Sequence, residues 1–84
     1  MKPKDFQELL QHYHRRAIAR FCLEPRTFDE IIEYMMAKAG WNHDLAYVLV
    51  AEHMASLEKA QAVRRNAEKW VTTDVAAEAL KKFF

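Results

Sequence analysis

The chain has very little glycine, proline and cysteine, with one Gly, two Pro and one Cys among 84 residues. Few turn-forming residues leave little room for long loops, and a glycine-rich phosphate loop is excluded because Gly40 is the only glycine. Cys22 has no partner for an intrachain disulfide and no second cysteine for a zinc or redox motif. A reducing, cytoplasmic location is therefore expected.

Long apolar runs are also missing. No segment approaches the roughly 18 apolar residues of a membrane-spanning helix, and the N-terminal residues lack the apolar centre of a signal peptide. The net charge is only +1, so any attraction to nucleic acid has to come from a local basic patch. With 51% hydrophobic and 30% charged residues, the chain has the composition of one small globular domain over residues 1–84.

Apolar periodicity and capping residues predict four helices. Thr27 and Glu30 have the spacing of a capping box, Gly40 suits the position after a helix end, and Asn42 is a good N-cap for the next helix. Thr73 is placed to cap the last one. The predicted helices cover residues 6–22, 28–39, 43–59 and 74–83.

A β-hairpin is predicted between the last two helices. Two short runs at 62–65 and 69–73 contain β-branched, aromatic and basic residues, and a polar break at 66–68 separates them. This pattern favours two antiparallel strands joined by a tight turn. We therefore expect a hairpin over residues 61–73.

The order helix, helix, turn, helix, hairpin, helix resembles the small bacterial winged helix-turn-helix regulators. Residues 27–31 (TFDEI) look like the start of the family's positioning helix, and 54–63 (MASLEKAQAV) look like the end of its recognition helix. Gln61 stands where the family usually has glycine, which makes a left-handed backbone there less favourable. The resemblance implies a mainly α fold with a small β-hairpin: a three-helix core, a two-stranded wing and a C-terminal helix.

The resemblance also implies binding to double-stranded DNA by a transcriptional regulator, with the third helix in the major groove and the wing on the flanking backbone or minor groove. Arg64, Arg65 and Lys69 cluster in the wing, where phosphate would relieve repulsion between cations that face each other across the strands. At the start of the third helix, Asn42, His43 and Tyr47 are candidates for backbone contacts. The candidate DNA-binding residues are Asn42, His43, Tyr47, Arg64, Arg65 and Lys69.

The outer face of the third helix favours an alternative, a protein–protein interaction module. On a helical wheel this face presents Asp44, Leu45, Val48, Glu52, Ala55 and Lys59, with Leu49 and Ser56 at its border. Base edges are bound mainly by Arg, Lys, Asn and Gln, whereas an apolar and acidic face suits another protein surface. The candidate residues for protein interaction are Leu45, Val48, Leu49 and Glu52.

A homodimer through the first and last helices is expected, because both carry wide apolar faces and Phe83 and Phe84 would otherwise face water. No metal or other cofactor is expected. On one continuous helix His12 and His14 would point roughly 160° apart, and His43 and His53 lack the i, i+4 spacing of a helical metal site. No constellation of nucleophile and base is evident, so an enzyme is not expected.

Overall fold

The computed structural model describes residues 2–84 and is mainly helical, with 69% of residues in helices and a small three-stranded antiparallel sheet. A 3-10 turn at Pro3–Phe6 opens the chain. The elements that follow are α1 (Gln7–Gln11), α2 (Tyr13–Phe21), β1 (Arg26–Thr27), α3 (Phe28–Ala39), α4 (His43–Lys59), β2 (Val63–Asn66), β3 (Lys69–Thr72) and α5 (Asp74–Phe83).

The bounds of α3, α4 and α5 agree with those predicted from periodicity and capping. At the start of α3 the Glu30 amide donates to Thr27 Oγ1 at 3.1 Å and the Thr27 amide donates to Glu30 Oε1 at 2.8 Å, which is the expected capping box. Asn42 caps α4 through its side-chain oxygen, which accepts from the Leu45 amide at 2.9 Å. Thr73 does not cap α5; its hydroxyl instead donates to the carbonyl oxygens of Gln61 and Ala62.

The predicted first helix, 6–22, is wrong as a continuous element. The helix is interrupted at His12, whose backbone is extended at φ −66° and ψ 118°, so α1 and α2 are separate helices. The His12 carbonyl accepts from the Arg16 amide at 3.0 Å and so begins α2. Leu10 of α1 and Ile18 of α2, on either side of the break, are both fully buried.

The predicted hairpin is present, and a third strand joins it. Strands β2 and β3 pair within the predicted range 61–73, and the short strand β1 adds to the far side of β3 to give the order β1-β3-β2. In this sheet Arg26 is the partner of Trp70, and Thr27 is the partner of Lys69. The sheet therefore ties the hairpin to the start of α3.

Three residues adopt a left-handed backbone among those described. Gly40 ends α3 at φ 73°, as its position after the helix predicts. Gln61 follows α4 at φ 63°, which confirms the left-handed geometry expected where glycine is usual, and Ala67 lies in the hairpin turn at φ 58°. Only glycine adopts this region without steric cost.

The terminal helices pack on each other within one chain. Helix α5 contacts the 3-10 turn, α1 and α2, and its Leu80 is 4% exposed beside the buried Phe6 and Leu10. The apolar faces on which the predicted homodimer relied are therefore mostly covered inside the protomer. Within residues 2–84 no helix combines the length and apolar character needed to cross a membrane.

Candidate functional site

The tip of the hairpin carries three exposed cations, Arg64, Arg65 and Lys69. Across the sheet their partners are Val71, Trp70 and Asn66 respectively. No cation directly faces another, so the expected cross-strand repulsion is absent, because the register alternates basic with neutral residues. Among residues 2–84, none of the three forms an ion pair with a carboxylate.

The two arginines differ in how firmly the hairpin holds them. Arg65 lies 5.5 Å from the ring centroid of Trp70 and donates from Nε to the Ala67 carbonyl at 3.2 Å. Arg64 is exposed on the opposite face of the strand. Arg65 thus packs on the Trp70 ring, and Arg64 extends into solvent.

The base of the hairpin is anchored to α2. Thr72 is buried, and its hydroxyl donates to the Ala19 carbonyl at 2.6 Å while its amide donates to the Cys22 carbonyl at 2.8 Å. Val63, the partner of Thr72 on β2, is 2% exposed. The cations therefore project from a strand pair whose root is fixed in the core.

The three candidate residues at the start of α4 differ in availability. The Asn42 side-chain oxygen already caps the helix, and the His43 Nδ1 lies 3.8 Å from the exposed Asp44 carboxylate. Tyr47 is 54% exposed, and its ring contacts Phe28 edge-on at 5.6 Å between centroids.

Tyr47 and the wing cation Lys69 lie beside the same short segment. Tyr47 contacts Phe28, and Thr27, the residue before Phe28, is the sheet partner of Lys69. The start of α4 and the hairpin thus both contact the segment at the start of α3. Glu30 lies in the same region. Hydrogen bonding from the Thr27 amide is the main cause that lowers the pKa of its carboxyl, and the charge of Lys69 lowers this pKa more weakly.

The outer face of α4 is exposed as predicted. Leu45 is 43% and Val48 is 53% exposed, Glu52 is exposed, and Leu49 is half-buried at the border. Such a face offers few donors to base edges or phosphates. This surface is therefore better suited to contact another protein than to contact DNA.

A second cluster was not expected from the sequence. His12 lies at the break between α1 and α2, His14 lies in the first turn of α2, and His53 of α4 faces both. One nitrogen from each of the three residues lies within 4.8 Å of the other two. Burial, followed by the charges of His12, Arg15 and His14, lowers the pKa of His53 to about 4. The expectation that His12 and His14 point apart is wrong because it assumed a continuous helix.

Comparison of the chain with protein-family models, with curated proteins and with solved structures finds no match.

Proposed function

We propose that this protein is a winged helix-turn-helix protein that binds duplex DNA, chiefly through the phosphate backbone, as a transcriptional regulator. The observation that carries the proposal is the group of exposed cations Arg64, Arg65 and Lys69 on a hairpin rooted in the core. Phosphate contacts supply most of the sequence-independent affinity for DNA. A fixed root favours such contacts because less mobility is lost when the wing binds.

The arrangement of helices supports the same proposal. Helices α3 and α4 are joined by the short turn at Gly40, and the wing follows α4 directly. Tyr47 and His43, at the start of α4, are available beside the wing for further backbone contacts. Asp44 and Glu52 on the outer face oppose close approach of phosphate, so we expect modest affinity and little dependence on base sequence.

The test is fluorescence anisotropy of a labelled DNA duplex, titrated with protein at several salt concentrations. The Arg64→Gln, Arg65→Gln double variant should bind every duplex more weakly and flatten the slope of log affinity against log salt by about two units. A matched control is the Lys81→Gln, Lys82→Gln variant, which removes the same charge from exposed positions at the end of α5. Equal loss in both variants would show a general charge effect and contradict binding by the wing.

The second candidate function is protein interaction through the outer face of α4. It is favoured by Leu45, Tyr47 and Val48, which expose 43%, 54% and 53% of their surface on one helix. If DNA is the partner, the Leu45→Ala, Val48→Ala variant should keep its duplex affinity. If the unaltered chain shows no salt-dependent duplex binding, the DNA proposal fails, and a photo-crosslinker placed at position 48, with position 81 as control, tests the protein alternative.

A further inference from the structure

We propose that His12, His14 and His53 bind one divalent late transition-metal ion, zinc being the representative case. The site joins the break between α1 and α2 to the middle of α4. It does not depend on the proposed function at the wing.

The geometry is close to that of a three-histidine metal site. One nitrogen from each imidazole lies within 4.8 Å of the other two. A tetrahedral zinc ion with metal–nitrogen distances near 2.05 Å holds its ligands about 3.3 Å apart. His12 is exposed and His14 half-buried, so small side-chain rotations of these two residues can bring them to His53, which α4 holds in place.

The backbone explains why these residues meet. The extended conformation at His12 turns α2 away from α1, so residues 12 and 14 no longer follow one helical wheel. His53 is 8% exposed and projects from α4 towards the break. Two ligands thus come from a junction between helices and the third from a long, well-packed helix, which is a rigid base for a site.

No other polar interaction accounts for the cluster. Among the hydrogen bonds of residues 2–84, none involves the side chain of His12, His14 or His53. The ring centroids of His12 and His53 are 4.7 Å apart at a tilt of 59°, and His14 contacts Trp41 edge-on at 4.7 Å. Aromatic packing alone is the competing explanation, and it predicts no metal affinity.

Charged neighbours act in both directions. Arg15 lies near the cluster and its buried Nε has no hydrogen-bond partner, and its positive charge opposes a cation. Asp5 and Glu8 line an open depression together with His12 and Arg15, and Glu8 is one helical turn before His12. Their carboxylates place negative charge in the same depression as His12, and three-histidine sets leave a fourth position for water or an anion.

The ligand set defines the class of metal. Neutral imidazole suits zinc, copper, nickel and iron, whereas magnesium and calcium prefer oxygen ligands. Bound metal would connect the N-terminal helices to α4, and because the three ligands are assembled only in the folded chain, binding should stabilise the fold.

The experiment is calorimetric titration of the tag-free, chelator-treated chain with zinc, with cobalt absorption as an independent readout of coordination. We expect one ion per chain, d–d bands typical of nitrogen ligation with cobalt, and a higher melting temperature with zinc. The His12→Gln, His14→Gln variant, altered only at solvent-accessible positions, should lose all three signals. His43→Gln is the matched control, since His43 precedes His53 by ten positions on α4, a rise of about 15 Å, and it should behave as the parent does.

Three outcomes would overturn the proposal. The first is a parent chain that shows no saturable binding of zinc or cobalt. The second is equal affinity in the parent and the His12→Gln, His14→Gln variant. The third is a stoichiometry of one ion per two chains, which would place the metal between molecules. Circular dichroism of each variant distinguishes loss of the site from loss of the fold, and the His14→Gln single variant repeats the test if the double variant unfolds.

Discussion

Gln61 and Gly40 both have a left-handed backbone, at φ 63° and φ 73°. A side chain in this region costs roughly 1–2 kcal/mol, and glycine loses about 0.5–1 kcal/mol through the greater freedom of the unfolded chain. Gln61→Gly should therefore raise the free energy of unfolding by up to about 1 kcal/mol. Gly40→Ala should lower it by about 1 kcal/mol through backbone strain alone, since an added Cβ would meet no atom within 4 Å. Urea denaturation followed by circular dichroism measures both changes, and a less stable Gln61→Gly variant or a more stable Gly40→Ala variant would contradict the strain argument.

Cys22 is fully buried, and burial raises the pKa of its thiol to about 12 despite the opposing effect of Arg26. The thiolate is the reactive form, so the folded protein should react very slowly with Ellman's reagent at pH 8. The same protein in guanidinium chloride should react fully and at once. Rapid stoichiometric labelling under native conditions would show that the segment between α2 and β1 opens readily.

Conformations of single residues are predictable from sequence where the cause is local. Gly40 and Asn42 act at helix ends because of their own backbone and side-chain preferences. The break at His12 has no such signal, since no proline or glycine lies between Gln11 and His14. The break therefore depends on the folded chain and not on a local turn-forming residue. The histidine cluster depends on that break and was missed for the same reason.

At the scale of elements, the capping box fixes where α3 begins. Thr27→Ala should lower the free energy of unfolding by about 1 kcal/mol.

Hydrogen bonding from Thr27 is the main cause that lowers the pKa of Glu30 below its ordinary 4.5. A carboxyl with a lowered folded-state pKa stabilises the fold above pH 4.5, and this contribution is lost as the pH falls through the lowered value. As the pH falls from 5 to about 3, the free energy of unfolding of the Glu30→Gln variant should therefore decrease less than that of the parent. The Glu33→Gln variant, altered on the same helix, is the control.

The elements themselves differ in how far the sequence defines them. Helices α3 and α4 could be placed because periodicity and capping agree, whereas α5 could be placed from its apolar periodicity, since the Thr73 side chain does not cap it. Strand β1 has only two residues, Arg26 and Thr27, which is too short for any alternation to be visible. It exists through pairing with Trp70 and Lys69, far along the chain. The register between β2 and β3 is local to the hairpin, and it places Val71 and Trp70, rather than cations, opposite Arg64 and Arg65.

At the scale of the whole molecule, the wing and the outer face of α4 were both visible in the sequence because each occupies a continuous segment. Their relation to α2 and α3 was not, since it depends on Thr72 reaching the Ala19 carbonyl and on Tyr47 reaching Phe28. Sites formed by one segment are thus predictable from composition and spacing. The histidine site combines residues 12, 14 and 53, and requires the folded arrangement.

The expected oligomeric state depends on which apolar surfaces of the protomer remain exposed. Helix α5 already packs on the 3-10 turn, α1 and α2, and Phe84 is 38% exposed, with its ring 4.7 Å from the Arg16 guanidinium. At the first and last helices the large apolar side chains that stay exposed are Tyr13 and Phe84, which leaves the predicted homodimer a smaller face than the sequence indicated. We now expect a monomer at high micromolar concentration, measured by sedimentation velocity.

Variants on two exposed apolar surfaces, at Phe84 and on the outer face of α4, identify the interface if that prediction is wrong. A parent dimer that dissociates in Phe84→Ser would restore the interface through the terminal helices, without disturbing the buried Leu80. A dimer that dissociates only in Leu45→Ala, Val48→Ala would place the contact on the outer face of α4. A monomer in all three proteins would mean that the proposed DNA binding and the proposed metal binding each have to be achieved by a single chain.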